Sequence, residues 1–150
     1  MISLYRISSA RYPANDGMGA ARYGGRWNPA GVAVIYAAQT ASLAALEVLV
    51  HYSVLPKDQV LTEIQLPEDL SILLWQEENL PAGWKDETLQ TETQRMGELW
   101  VRESRSAVLS VPSSIIPGER NYLLNPAHAA FPEIRFLPPQ PFHFDPRLKR

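Results

Sequence analysis

The chain has 150 residues, 45% of them hydrophobic and 20% charged, with a formal net charge of −2; this composition builds a packed core and excludes intrinsic disorder. The length suits one domain over residues 1–150 rather than two. Basic residues are scattered, with a concentration only at Arg147-Leu148-Lys149-Arg150, so no footprint for direct nucleic-acid binding is expected; the absence of cysteine removes disulfides, thiolate nucleophiles and cysteine metal sites.

In chain order, Met1-Ile2-Ser3-Leu4-Tyr5-Arg6-Ile7 alternates as a first strand and lacks a basic segment followed by an apolar run, so no signal peptide is expected. No apolar stretch approaches the length of a bilayer span, and a cytoplasmic protein without membrane contact is the expectation. Pro13, Asn15, Asp16, Gly17 and Gly19 predict an irregular loop that leads into Gly24-Gly25-Arg26-Trp27-Asn28. Val32 to Ala38 predicts a buried strand containing Tyr36. Thr40 or Ser42 then caps a helix in which Leu43, Leu46, Leu49 and Val50 recur at helical spacing through about Tyr52. Ala44, Ala45 and Val48 leave this helix poor in polar surface, so a central position is expected and Glu47 stands out within it.

Pro56 closes that region, and Val60 to Leu66 alternates as a half-exposed strand with Glu63 on its wet side. Trp75, Pro81, Gly83 and Trp84 predict a loop or broken helix, followed by a second helix from about Glu87 to Arg102 that buries Leu89, Met96, Leu99 and Trp100. Ala107 to Val111 reads as a strand that Pro112 stops at Ser113-Ser114. In Asn121-Tyr122-Leu123-Leu124-Asn125-Pro126 polar groups bracket an apolar centre, and Ile134 to Leu137 and Phe142 to Phe144 read as final strands. There is no internal repeat or low-complexity linker, and the class is α+β.

Three residues carry the chemistry. Glu47 is a carboxylate in apolar sequence, which costs free energy on folding unless the group reaches an edge, a proton or a partner. Arg26 follows two glycines that let backbone and ligand approach closely, and Tyr36 lies on the strand between. A planar cation, an aromatic ring and a carboxylate suit a ligand with a phosphate, a flat ring and a centre that becomes positive during reaction. Nicotinamide adenine dinucleotide (NAD) has all three. Simpler readings stand beside these: a structural ion pair for Glu47, a brace for the glycine loop at Arg26, a core ring for Tyr36 and a turn cap for Ser113. His51, His128 and His143 fall on separate elements without ligand spacing, so no metal site is expected, although His128 lies near Asn125.

The ordered motifs Leu4-Tyr5-Arg6, Gly24-Gly25-Arg26-Trp27-Asn28, Ile35-Tyr36-Ala37-Ala38, Ala45-Leu46-Glu47, Val111-Pro112-Ser113 and Leu124-Asn125-Pro126 with His128 resemble the RES family, the toxin halves of bacterial RES-Xre toxin-antitoxin pairs. The resemblance covers nearly the whole chain. It implies a single-domain ADP-ribosyltransferase-like fold, with a central, mostly antiparallel split β-sheet flanked by helices. It further implies depletion of NAD by cleavage of the nicotinamide-ribose bond, with NAD as substrate rather than cofactor and an Xre-type helix-turn-helix antitoxin as partner. Carried over residue by residue, Arg26 grips the dinucleotide, Tyr36 packs near the nicotinamide and Glu47 is the catalytic carboxylate. Ser113 matches the family serine, with Ser114 leaving the register open by one; Arg6 and Asn125 are further NAD-binding candidates. Water, phosphate or a protein as acceptor of ADP-ribose remain alternatives, as does an inert module that only binds an antitoxin.

Overall fold

The computed structural model describes residues 1–88 and 90–149. β1 (Ile2–Ser9) and β3 (Gln59–Leu66) run antiparallel over their full lengths, from Ile2 opposite Leu66 to Ser9 opposite Gln59. That register stacks Leu4 beside Ile64, both fully buried. β2 (Ile35–Ala38) pairs with β6 (Arg120–Leu124) over four positions but registers with β1 at one, Tyr5 opposite Ala38. Beyond β6 lie β5 (Val108–Pro112) and a short parallel edge strand, β4 (Ile72–Leu74). At the other side β7 (Arg135–Phe136) and β8 (Gln140–Phe142) both pair with β3. The order β4-β5-β6-β2-β1-β3-β7 is antiparallel at every ladder except β4–β5, and the sheet divides at the thin β1–β2 seam. This is the expected α+β architecture with its split sheet.

Tyr36, Leu123 and Leu109 stand opposite one another across β2, β6 and β5, against Trp27 and Trp100. The reverse face carries Leu4, Ile35, Val108 and Leu124 under Phe131 and Phe136. α1 (Met18–Tyr23), α2 (Ala41–Leu49) and α3 (Thr91–Arg102) complete the fold. Of the two candidate caps for α2, Thr40 serves: its Oγ1 accepts from the Leu43 N–H at 3.1 Å.

Several expectations need correction. α2 ends at Leu49 rather than near Tyr52, and Leu46 and Val50 are 38% and 55% exposed. Leu43 and Leu49 are buried as expected, together with Ala44, and Glu47, four residues after Leu43 and three after Ala44, shares their side. The helix lies on the sheet and aims its carboxylate at it. α3 begins at Thr91, not Glu87, and buries Thr93, Gly97 and Trp100; Met96 is half-buried and Leu99 is exposed. The expected contact at Leu89 lies outside the described residues. Gly97 explains the different face, since a Cβ there would stand 1.7 Å from the Trp27 carbonyl oxygen, so only glycine lets α3 approach that backbone. The loop expected through Gly19 holds α1, started by Asp16 Oδ1 accepting from the Met18 N–H at 3.0 Å. β4 falls just before Trp75, in a stretch that predicts no strand; its three residues and edge position give it no alternation to read. Strand bounds shift by a few residues elsewhere: Val32 and Val34 are buried but precede β2, and β8 ends at Phe142 rather than running to Phe144.

Candidate functional site

The glycine loop is tied from three directions. Gly25 N–H donates to the Asn28 carbonyl at 2.9 Å, closing a turn, and Gln94 of α3 donates from Nε2 to the Gly25 carbonyl at 2.9 Å. Asn28 is fully buried and its Nδ2 donates to the Ala20 and Val32 carbonyls, both at 2.9 Å. The third tie is Tyr36. Its hydroxyl donates to Asn28 Oδ1 at 2.6 Å and accepts from the Trp27 N–H at 3.0 Å. Burial pushes the Tyr36 phenol well above its ordinary value, against smaller opposing effects of the Trp27 N–H and the Arg26 charge. The phenol therefore stays a neutral staple. Gly25 permits this closeness, because a Cβ there would lie 2.7 Å from the Tyr36 oxygen.

The staple fixes Arg26. Its Nη1 donates to the carbonyls of Trp84 at 2.6 Å and Asp86 at 3.2 Å, so the segment before α3 is wrapped around the guanidinium. Burial lowers the Arg26 pKa from its ordinary value, opposed first by the Glu47 charge. Among the described residues Arg26 forms no ion pair, and its remaining N–H donors carry no hydrogen bond.

Glu47 reaches from α2 to the ends of two paired strands. Ser113 Oγ, just past β5, donates to Glu47 Oε2 at 3.1 Å, and Asn121 Nδ2 of β6 donates to the same oxygen. Val111 opposite Asn121 in the β5–β6 ladder sets the spacing of these two donors. Of the adjacent serines, Ser113 therefore faces the carboxylate; it is 2% exposed, and its Oγ also accepts from the N–H groups of Ile115 and Ile116, at 3.1 Å each.

Arg6 sits at the seam. Its Nη1 donates to the Tyr36 carbonyl at 2.9 Å where β1 and β2 part, while its Nε is buried without a hydrogen-bond partner among the described residues. Burial lowers its pKa, with Asp16 opposing. Asn125 is placed elsewhere: it is fully buried at the end of β6 remote from Asn121, its Oδ1 accepting from the Ala127 N–H at 3.0 Å and its Nδ2 directed at the Val101 carbonyl at 3.4 Å. His128 likewise serves its own turn, Nδ1 accepting from the Ala130 N–H at 3.0 Å. A cavity of about 420 Å³ between Leu55, Asp58 and Phe142 lies away from all of these groups. Among the described residues no group of three or more His, Cys, Asp or Glu side chains could hold a metal ion.

Residues 3–145 match the sequence profile of the RES domain. The chain belongs to the RES domain family. Its relatives there include "Toxin Res" of Yersinia enterocolitica serotype O:8, 42% identical over 97% of this chain and 99% of that protein. The "Prs ADP-ribosylating toxin" of Sphingobium sp. strain YBL2 is 40% identical over 99% of this chain and 97% of that one. In fold, the RES domain is similar to a chain in the crystal structure of the M. tuberculosis MbcT-MbcA toxin-antitoxin complex, with a TM-score of 0.74 at 19% identity, covering 98% of this chain and 86% of that one. This RES domain thus stands among toxins.

The RES fold brings Arg26, Tyr36, Glu47 and Ser113 to one side of the sheet and leaves Asn125 in the scaffold. Asn121 carries no mark of a site residue in the sequence. It and Asn125 flank the same apolar run, and only the strand register and the place of α2 tell which of them meets Glu47. In the sequence Asn28 stands out only as the end of the Gly24-Gly25-Arg26-Trp27-Asn28 motif, and its spacing from Tyr36 holds no local signal for the hydrogen bond that joins them.

Proposed function

We propose that this RES domain is a toxin that breaks the nicotinamide-ribose bond of NAD. The observation that carries the reading is the Glu47 carboxylate: one oxygen is held by Ser113 and Asn121, the other receives no hydrogen bond among the described residues, and Arg26 is close enough to feel its charge without pairing to it. Such a pair can serve two ends of one ligand. In the proposed reaction the C1′–N bond breaks and its electron pair goes to the pyridinium nitrogen, so nicotinamide leaves neutral. The positive charge passes to the ribose, where the fixed carboxylate stabilises it. Water then adds to C1′ and loses a proton to solvent, giving ADP-ribose; phosphate in its place gives the 1-phosphorylated product. The free donors of Arg26 suit the diphosphate. Tyr36 supports the reading indirectly, because its hydroxyl already holds the Arg26 loop.

Incubation of purified protein with NAD, followed by measurement of free nicotinamide, tests the proposal: release by the wild type and none by Glu47→Ala is the expected result. Folded, antitoxin-free protein that releases nothing would end it. The name of the Sphingobium relative favours a second reading, transfer of ADP-ribose to a protein. Mass spectrometry separates the two, since a protein adduct marks transfer and free ADP-ribose marks hydrolysis. The fold neighbour comes from a toxin-antitoxin complex, which supports an antitoxin as partner for this chain; the sequence resemblance favours an Xre-type helix-turn-helix protein in that role.

A further inference from the structure

We propose that Asn121 and Ser113 form a two-donor clamp on Glu47 Oε2, with Asn121 as a positioning residue for the carboxylate, so that Oε1 is the oxygen presented to the ribose. The proposal rests on the reading of Glu47 given above and assigns Ser113 to the carboxylate rather than to the dinucleotide.

A serine hydroxyl has one proton and two lone pairs. The Ile115 and Ile116 N–H groups, at 3.1 Å each, take the lone pairs, and the proton is left for Glu47 at 3.1 Å. Ser113 is then saturated and, at 2% exposure, has nothing left to offer a ligand. It can only donate to Glu47. Asn121 acts from the neighbouring strand; a carboxylate only accepts, so the amide nitrogen must be the atom that faces it. Both donors belong to the β5–β6 region, whose ladder pairs Val111 with Asn121, whereas Glu47 arrives on α2. The clamp therefore orients a group whose own helix does not fix it. Arg120, next in sequence to Asn121, does not compete: its guanidinium is engaged with Ser110 and the Trp75 carbonyl. Among the described residues Glu47 forms no salt bridge; the Arg26 guanidinium feels its charge without pairing to it, and Tyr36 beside Arg26 stays neutral.

Asn121→Ala should lower kcat for nicotinamide release by about 10- to 100-fold, the usual effect of losing a group that orients a reacting one, while KM stays within about threefold. Asn121→Asp keeps the shape but replaces the donor by a carboxyl. At low pH the new carboxyl and Glu47 share a proton, and the introduced group donates as asparagine did; as pH rises the shared proton is lost, the two charges repel, and the rate falls along a limb absent from the wild type. That limb reports that position 121 abuts the Glu47 carboxylate, and the fall in kcat at nearly constant KM in Asn121→Ala separates positioning from a purely structural role. The third measurement needs no substrate: in an NMR spectrum of the free protein, the Asn121 side-chain amide proton should move upfield in Glu47→Ala. Full kcat in folded Asn121→Ala, or an amide resonance indifferent to Glu47→Ala, overturns the clamp. Wild-type protein that shows the amide signature but releases no nicotinamide keeps the clamp and loses the NAD reading.

Discussion

Gly97→Ala puts a common rule against a specific contact. In an exposed helix interior this change stabilises by about 1 kcal/mol, because alanine is the better helix former. Here the added methyl would lie 1.7 Å from the Trp27 carbonyl oxygen and 2.7 Å from its carbon. An ordinary carbon-oxygen contact is roughly 3.3 Å, so α3 and the glycine loop must separate by about 1.5 Å. Neither obstacle is a flexible side chain, since both are backbone. Overpacking of that severity costs about 3 kcal/mol, and the recovered propensity leaves a net loss of about 2 kcal/mol. For a chain of this length that is a fall in Tm of about 4 to 8 °C. Function should suffer further, because Trp27 adjoins Arg26 and a displacement of about 1 Å at a positioned group can cost about 100-fold in rate. Urea unfolding and nicotinamide release, both measured where the variant is still folded, check the two parts. A Gly97→Ala protein as stable as the wild type would refute the close approach of α3 to Trp27.

Tyr36→Phe removes one hydroxyl but strands two partners, the Trp27 N–H and Asn28 Oδ1; denaturant titration should show a loss of about 1 to 3 kcal/mol, with reduced activity from the loosened Arg26 loop. The raised pKa of the Tyr36 phenol means that its contribution to stability is complete below the ordinary tyrosine value near pH 10 and is lost as pH climbs beyond it. Ultraviolet titration should therefore find one of the six tyrosines ionising last, together with unfolding, and Tyr36→Phe should remove that step. Thr62, 1% exposed on β3, has a hydroxyl with no hydrogen-bond partner among the described residues. Thr62→Val should leave stability unchanged or raise it by about 1 kcal/mol in thermal melts, and a clear loss would reveal an interaction of that hydroxyl.

Much of the site is legible in the sequence because it is local. Thr40 three residues before Leu43 marks the start of α2, and Glu47 among alanines and leucines signals a carboxylate that needs partners. What the sequence hides is register. Asn121 and Asn125 are equivalent by local pattern, yet only the former stands by Ser113, because β6 pairs Asn121 with Val111 at the end of β5. Helical periodicity selects Leu46 and Leu99 as core residues because it counts apolar side chains. The folded chain instead turns Glu47 and Gly97 inward, the one for hydrogen bonds and the other for closeness. β4 and α1 are too short for any period to emerge.

The single registered pair between β1 and β2, with the Arg6 hydrogen bond to the Tyr36 carbonyl, leaves the sheet as two leaves joined along a narrow seam. One leaf carries β1, β3, β7 and β8, the other β2, β4, β5 and β6, and α2 is bolted across the joint by Leu43, Ala44 and Leu49 against Ile7 of the first leaf and Ala38 of the second. Ser113 and Asn121 belong to the second leaf alone. The hydrogen bonds from Ser113 and Asn121 to Glu47 therefore tie α2 to the second leaf by polar contacts as well as by apolar packing, so the carboxylate is itself one of the fastenings that join the two leaves.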